Sequence, residues 1–175
     1  MKNYIACFLI ILTIQLYAQE IEKPVSRIDK ASIGFGIGMD YGIVGMSITT
    51  SLHRNVALIL GTGYSGIGFA YNGGLKARYV SEENPSRITP FVVCLYGINS
   101  VVKITNASEY DKSFRGLTFG FGLDFNFKPR KYGFWSFALM IPKRSDEFNY
   151  YIKGFRMENE PPPIGLSLGY KIILH

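Results

Sequence analysis

Cysteine, histidine and tryptophan are nearly missing from this 175-residue sequence, which has two Cys, two His and one Trp. Cys7 falls inside an apolar N-terminal run, so a processed chain keeps only Cys94 and cannot form an intrachain disulfide. One cysteine and the distant pair His53 and His175 offer no ligand spacing, and no metal or cofactor site is expected. Charge is also scarce. Charged residues make up 18% of the chain, and the Lys and Arg excess is scattered through turns and loops rather than gathered on one face, so no nucleic-acid interface is expected. Long helical signals are lacking too. The longest uncharged stretch, Asn55 to Leu75, holds six glycines. Each costs about 1 kcal/mol in a helix interior, which argues against a membrane helix there.

What is present begins with a leader. Met1-Lys2-Asn3-Tyr4 carries one positive charge, Ile5 to Ile14 is apolar, and Leu16-Tyr17-Ala18 offers a cleavage site. This is the pattern of a secretory signal, and the run is too short to span a bilayer. The expected organisation is a signal peptide over 1–18, a periplasmic N-terminal segment over 19–30 and one folded domain over 31–175. Removing residues 1–18 takes away Lys2 and no acid, so 18 basic minus 13 acidic residues leave +5.

From Ala31 onward the dominant period is two. Leu117, Phe119, Phe121, Leu123, Phe125 and Phe127 occupy every odd position of one segment, with Thr118, Gly120, Gly122, Asp124 and Asn126 between them. Ile164 to Leu174 repeats the pattern with Gly165, Ser167, Gly169 and Lys171 on the second face. Similar alternation marks segments from about Ala31, Val44, Val56, Ile67, Ile88 and Trp135. The fifth, over about Ile88 to Ile98, is ambiguous, because Phe91-Val93-Leu95 and Val92-Cys94-Tyr96 are both apolar. Asp40-Tyr41-Gly42, His53-Arg54-Asn55, Ser81 to Ser86 and Lys128-Pro129-Arg130-Lys131 read as turns. Eight segments of roughly nine to eleven residues have the length of tilted membrane-crossing strands. The expected fold is all-β: an eight-stranded antiparallel up-and-down transmembrane β-barrel preceded by a cleavable signal peptide.

A soluble barrel also alternates, so the side of the apolar face matters. In lipid that face points out, and a small lumen needs compact or polar side chains. The second face here is mainly Gly, Ser, Ala, Thr and Asn. The strand charges Lys76, Arg78, Asp124 and Lys171 all fall on it, and they are expected to point into the barrel with Asp124 meeting at least one cation. An even strand count puts both termini on the periplasmic side and the two longest loops, Asn99 to about Arg115 and Lys143 to Pro163, outside. Tyr41, Tyr64, Tyr79, Trp135 and Tyr170 are candidates for interfacial aromatic belts.

On Leu117–Phe127, Ile164–Leu174 and this architecture, the chain resembles the small outer-membrane β-barrel families of the OmpA-barrel and OmpX type over about residues 31–175. It departs from them in ending Ile173-Leu174-His175 rather than in an aromatic. The resemblance implies a signal-dependent outer-membrane location, contact with outer-membrane lipid, and a structural or surface-interaction role through the long outer loops. A monomer is expected, with a protein partner bound through loop 143–163. Within that loop Phe148, Tyr150 and Ile152 alternate with Asn149, Tyr151 and Lys153, which suggests a continuing hairpin, and Phe148 to Phe155 is the expected contact segment. No catalysis is expected. His53 and His175 lie at the periplasmic end, and Gly34-Phe35-Gly36-Ile37-Gly38 lacks the following helix that a phosphate loop requires. The alternatives are an outer-membrane lipid-modifying enzyme, a soluble periplasmic lipocalin-like binding barrel and a narrow pore.

Overall fold

The computed structural model describes residues 30–80, 87–104, 108–126, 133–155 and 162–174. The expected signal peptide and all but the last residue of the N-terminal segment lie outside the described residues, as do Ser81 to Ser86, Phe127 to Tyr132 and His175.

Eight strands close into one antiparallel up-and-down barrel in sequence order. They are β1 (Ala31–Gly38), β2 (Ile43–His53), β3 (Val56–Tyr64), β4 (Phe69–Arg78), β5 (Ile88–Val102), β6 (Lys112–Phe125), β7 (Gly133–Pro142) and β8 (Gly165–Leu174). The barrel is sealed by β8 pairing with β1, from Ala31↔Leu174 to Ile37↔Leu168. His53 pairs with Val56 across a tight turn, with a bulge between Ser51 and His53 that adds twist at that rim. This rim, which also carries both ends of the barrel chain, is called the turn end below; the opposite rim is the loop end.

The two faces separate as the alternation requires. Phe35, Ile37, Leu60, Leu75, Val92, Phe119, Phe121, Phe137, Ile141 and Leu166 are exposed on the outside. Ser32, Ser47, Thr49, Asn72, Lys76, Asp124, Ser136, Ser167 and Lys171 are buried inside. Tyr64 stands exposed near the loop end, and Tyr79 and Trp135 near the turn end. Trp135 packs edge-on against its cross-strand neighbour Tyr170 at 5.3 Å. The ambiguous β5 resolves with Phe91, Val93 and Leu95 inward and Val92, Cys94 and Tyr96 outward. Ile59, which breaks the alternation of β3, also faces in. These join Ala138 and Met140 in an apolar cluster that fills one side of the lumen.

Three connections differ from the sequence expectation. The fifth and sixth strands run past Ile98 and start before Leu117, reaching Val102↔Lys112 through a bulge at Ile98/Ser100, so this hairpin is the one that rises above the rim. The segment read as a continuing hairpin is instead an α-helix, α1 (Asp146–Phe155). Its apparent two-residue period is overridden by Phe148, Tyr151 and Ile152, which recur at i, i+3 and i+4 and so share one helical face. Phe148 is 1% exposed and meets Phe114 edge-on at 5.2 Å, with Val102 and Ile104 beside it. Finally, Asp40-Tyr41-Gly42 is not an exposed turn. Met39–Tyr41 forms a 3-10 turn, η1, that enters the lumen, with Asp40 and Tyr41 both buried. Tyr41 therefore belongs to no interfacial belt.

Candidate functional site

The lumen holds the densest set of polar and charged side chains among the described residues. Lys76 on β4 reaches over β5 to Asp124 on β6, placing Nζ 2.9 and 2.7 Å from the two carboxylate oxygens. Its ammonium lies 3.6 Å from the centre of the Phe91 ring, a cation–π contact beneath the ion pair. Ser136, opposite Asp124 on β7, donates to Oδ1 at 2.7 Å. Asp124 thus takes its ion pair from β4 and a hydroxyl hydrogen bond from β7, as a buried anion requires.

Lys171 on β8 is 1% exposed and donates to Thr49 Oγ1 at 3.1 Å. Arg78, near the turn end, donates to Ser51 Oγ at 2.8 Å and to the Arg54 carbonyl at 3.4 Å. Lys76, Arg78, Asp124 and Lys171 therefore all turn inward, as expected from their shared face, whereas Lys112 and Arg115, in the part of β6 before Leu117, are exposed. A fifth charge was not visible in the strand pattern. Asp40, carried into the lumen by η1, accepts from Ser167 Oγ and brings the lumen to three cations and two acids.

The sequence explains why η1 fits. Tyr41 lies against Gly34 and Gly36 of β1 and Gly169 of β8, where an added Cβ would strike its ring or hydroxyl. The Asp40 and Tyr41 backbone lies over Gly61 and Gly63 of β3 in the same way. Bulky inward side chains gather on β5 and β7 with Ile59 of β3, while Gly34, Gly36 and Gly169 leave room for the Tyr41 ring beside Lys171. The turn enters and leaves through positive-φ glycines, with φ of 138° at Gly38 and a left-handed 66° at Gly42. Asn72 Nδ2 donates to the Met39 carbonyl, tying η1 to β4.

A second surface lies above the loop end. α1 rests on the β5–β6 hairpin through Phe148, while Lys112 and Glu147 pair at 2.8 Å on the exposed side. Tyr151 Oη donates to the carbonyl of Tyr110, the last residue of a second 3-10 turn, η2 (Ser108–Tyr110). Of the segment expected to make contacts, Phe148 is spent on anchoring the helix and Tyr150 is 83% exposed.

His53 is exposed at the turn end of β2, at the rim opposite α1, and the glycines of Gly34-Phe35-Gly36 line the lumen inside β1. Among the described residues no group of three or more His, Cys, Asp or Glu is placed to hold a metal ion. Comparison with known proteins adds no relative: no family model, no curated protein and no solved structure matches the chain.

Proposed function

We propose that this protein is a small outer-membrane β-barrel that displays the β5–β6 hairpin and α1 as an interaction surface and carries out no catalysis itself. The observation that carries the reading is the exterior. Large apolar side chains face outward on all eight strands, while Lys76, Asp124 and Lys171 are buried within. Water-exposed apolar patches on soluble monomers rarely exceed a few hundred Å², whereas this one encircles the barrel. A lipid-facing Lys or Arg near the bilayer midplane costs about 2–4 kcal/mol, which favours the inward placement of Lys76, Arg78, Asp124 and Lys171. Exposed Tyr64 at one rim and Tyr79 and Trp135 at the other suit two headgroup regions. The secretory pattern at the N-terminus fits export, and α1 and the raised hairpin lie on the side that faces away from the cell in this topology.

A soluble lipocalin-like barrel would bury its large apolar face, and the outward Phe and Leu count against it. A lipid-modifying enzyme needs a base near the outer leaflet, and His53 sits at the other end. The test is fractionation of cells producing the full chain, followed by gel migration with and without boiling. A heat-modifiable band in the outer-membrane fraction is expected. A soluble periplasmic band with one mobility would overturn the reading.

A further inference from the structure

We propose that the outward cations Arg115 and Lys143 form a docking site at the loop end for the phosphate of a membrane lipid, with the rings of Tyr71 and Tyr96 beside it. This rests on the membrane reading above, since only a barrel sealed in lipid brings lipid phosphates to that level.

The site is the exception in the charge pattern of the strands. Lys76, Asp124 and Lys171 are buried in the lumen. β6 keeps its alternation as it rises above the rim: Phe114 turns inward and packs on Phe148 of α1, so Arg115 and Leu117 turn outward, on the face opposite that contact. The Lys143 N–H donates to the Leu117 carbonyl at 2.7 Å, which carries the β6–β7 ladder one step past Thr118↔Pro142. Lys143 thus lies across from Leu117 and diagonal to Arg115, on the outward face it shares with Ile141. Diagonal neighbours of this kind stand about 7–8 Å apart, within reach of long side chains. Two such cations can close on one phosphate.

The chemistry of the pair favours an anion. Both side chains are exposed, and among the described residues neither meets a carboxylate. Lys112, the next cation along β6, is already paired with Glu147. The Arg115 guanidinium reaches across β5 and lies 5.5 Å from the centre of the Tyr71 ring. That cation–π contact restricts the side chain and leaves its planar fork of N–H donors for a bidentate acceptor, the geometry in which arginine meets phosphate.

The level of the pair selects a lipid over a free ion. Tyr71 and Tyr96 are outward and exposed, and rings with a polar tip suit the boundary between acyl chains and headgroups. An outward cation is costly in hydrocarbon, and the cost falls away only toward the interface. In a bilayer these two cations therefore stand where headgroup phosphates lie.

The test is native mass spectrometry of the protein folded in detergent micelles, with heat-modifiable migration as the folding check. Phosphatidic acid, phosphatidylcholine and inorganic phosphate are titrated separately. The parent is expected to retain one phosphatidic acid in preference to phosphatidylcholine, whose phosphate is screened by its own cation. Arg115→Gln and Lys143→Gln are each expected to weaken that binding about fivefold, and both together about thirtyfold, as additive charges near a membrane surface require. Lys153→Gln, exposed on α1, is expected to bind as the parent does. Equal retention of the two lipids by the folded parent, a preference that survives the double replacement, or an equal loss in Lys153→Gln would overturn the site. Displacement of bound phosphatidic acid by equimolar inorganic phosphate would overturn the assignment to a lipid. If the double variant does not fold, Lys143→Gln decides alone, and undiminished binding by it overturns the proposal. If the parent gives no heat-modifiable form, the membrane reading itself falls, and the site with it.

Discussion

Lys76 and Asp124 face each other across an intervening strand, and the ammonium bonds both carboxylate oxygens at 2.9 and 2.7 Å. The pair joins β4 to β6 through the lumen, where each partner is almost wholly buried. Removing one partner strands the other without solvent. Asp124→Ala is therefore expected to destabilise the barrel by about 3–5 kcal/mol, while a Lys76→Met, Asp124→Leu double replacement recovers most of that loss. Unfolding in urea, followed by the fluorescence of the single tryptophan, Trp135, measures both. Equal midpoints for the parent and Asp124→Ala would contradict the pairing.

The close fit of Tyr41 on Gly169 gives a second expectation. A methyl group added at Gly169 meets the Tyr41 ring and hydroxyl, and overpacking of this kind costs about 1–3 kcal/mol. Gly169→Ala is expected to destabilise the parent and to cost less in a Tyr41→Ala background, because the colliding ring is gone. A double-mutant cycle read from the same urea curves detects that coupling. Strict additivity would place Tyr41 elsewhere than against β8.

Much of this architecture is written in the alternation of the strands, and the exceptions have physical causes. Leu117 to Phe125 and Gly165 to Leu174 show their faces plainly because one face is large and the other small. β5 does not, because Phe91, Val93 and Leu95 must fill a lumen whose opposite wall is glycine. Periodicity along β5 carries no information about that wall. Asp40-Tyr41-Gly42 has turn chemistry, and it does form a turn. Its direction depends on the cavity made by Gly34, Gly36 and Gly169, residues far apart in sequence. In α1 the six residues Phe148 to Lys153 satisfy two periods at once. Only docking of Phe148 on Phe114 selects the helix, and that contact belongs to tertiary structure. The inward turn of Lys76, Arg78, Asp124 and Lys171 was legible, since charge and parity coincide; the role of Asp40 was not, since it sits outside every strand.

Phe148 is the third expectation. Its ring is buried between Phe114 and Val102, whereas Tyr150 points to solvent. Phe148→Ala is expected to release α1 from the hairpin and make 146–155 sensitive to protease, with the barrel's unfolding midpoint retained. Tyr150→Ala is expected to leave protease resistance as in the parent. Equal cleavage of the parent and Phe148→Ala would show that the helix is not held by this contact.

Charge on the exterior gives the fourth. Leu139 lies outward on β7, paired to Phe121 and Leu166, both also outward. Leu139→Arg is expected to lower stability in lipid vesicles by about 2–4 kcal/mol if this position lies near the midplane. Urea titration in vesicles measures the loss. An unchanged midpoint would mean that water, not lipid, covers this face.

The most direct test of the central claim uses Cys94, whose thiol is exposed on the outer face of β5. With Cys7→Ser, a nitroxide spin label is attached to Cys94 in the unfolded chain, which is then folded into lipid vesicles. Collision of the label with oxygen, which concentrates in the bilayer, is compared with collision with a water-soluble nickel chelate. A barrel held in lipid by its apolar exterior gives strong relaxation by oxygen and little by nickel. Stronger relaxation by nickel than by oxygen, from protein confirmed as folded, would put Cys94 in water and contradict the account.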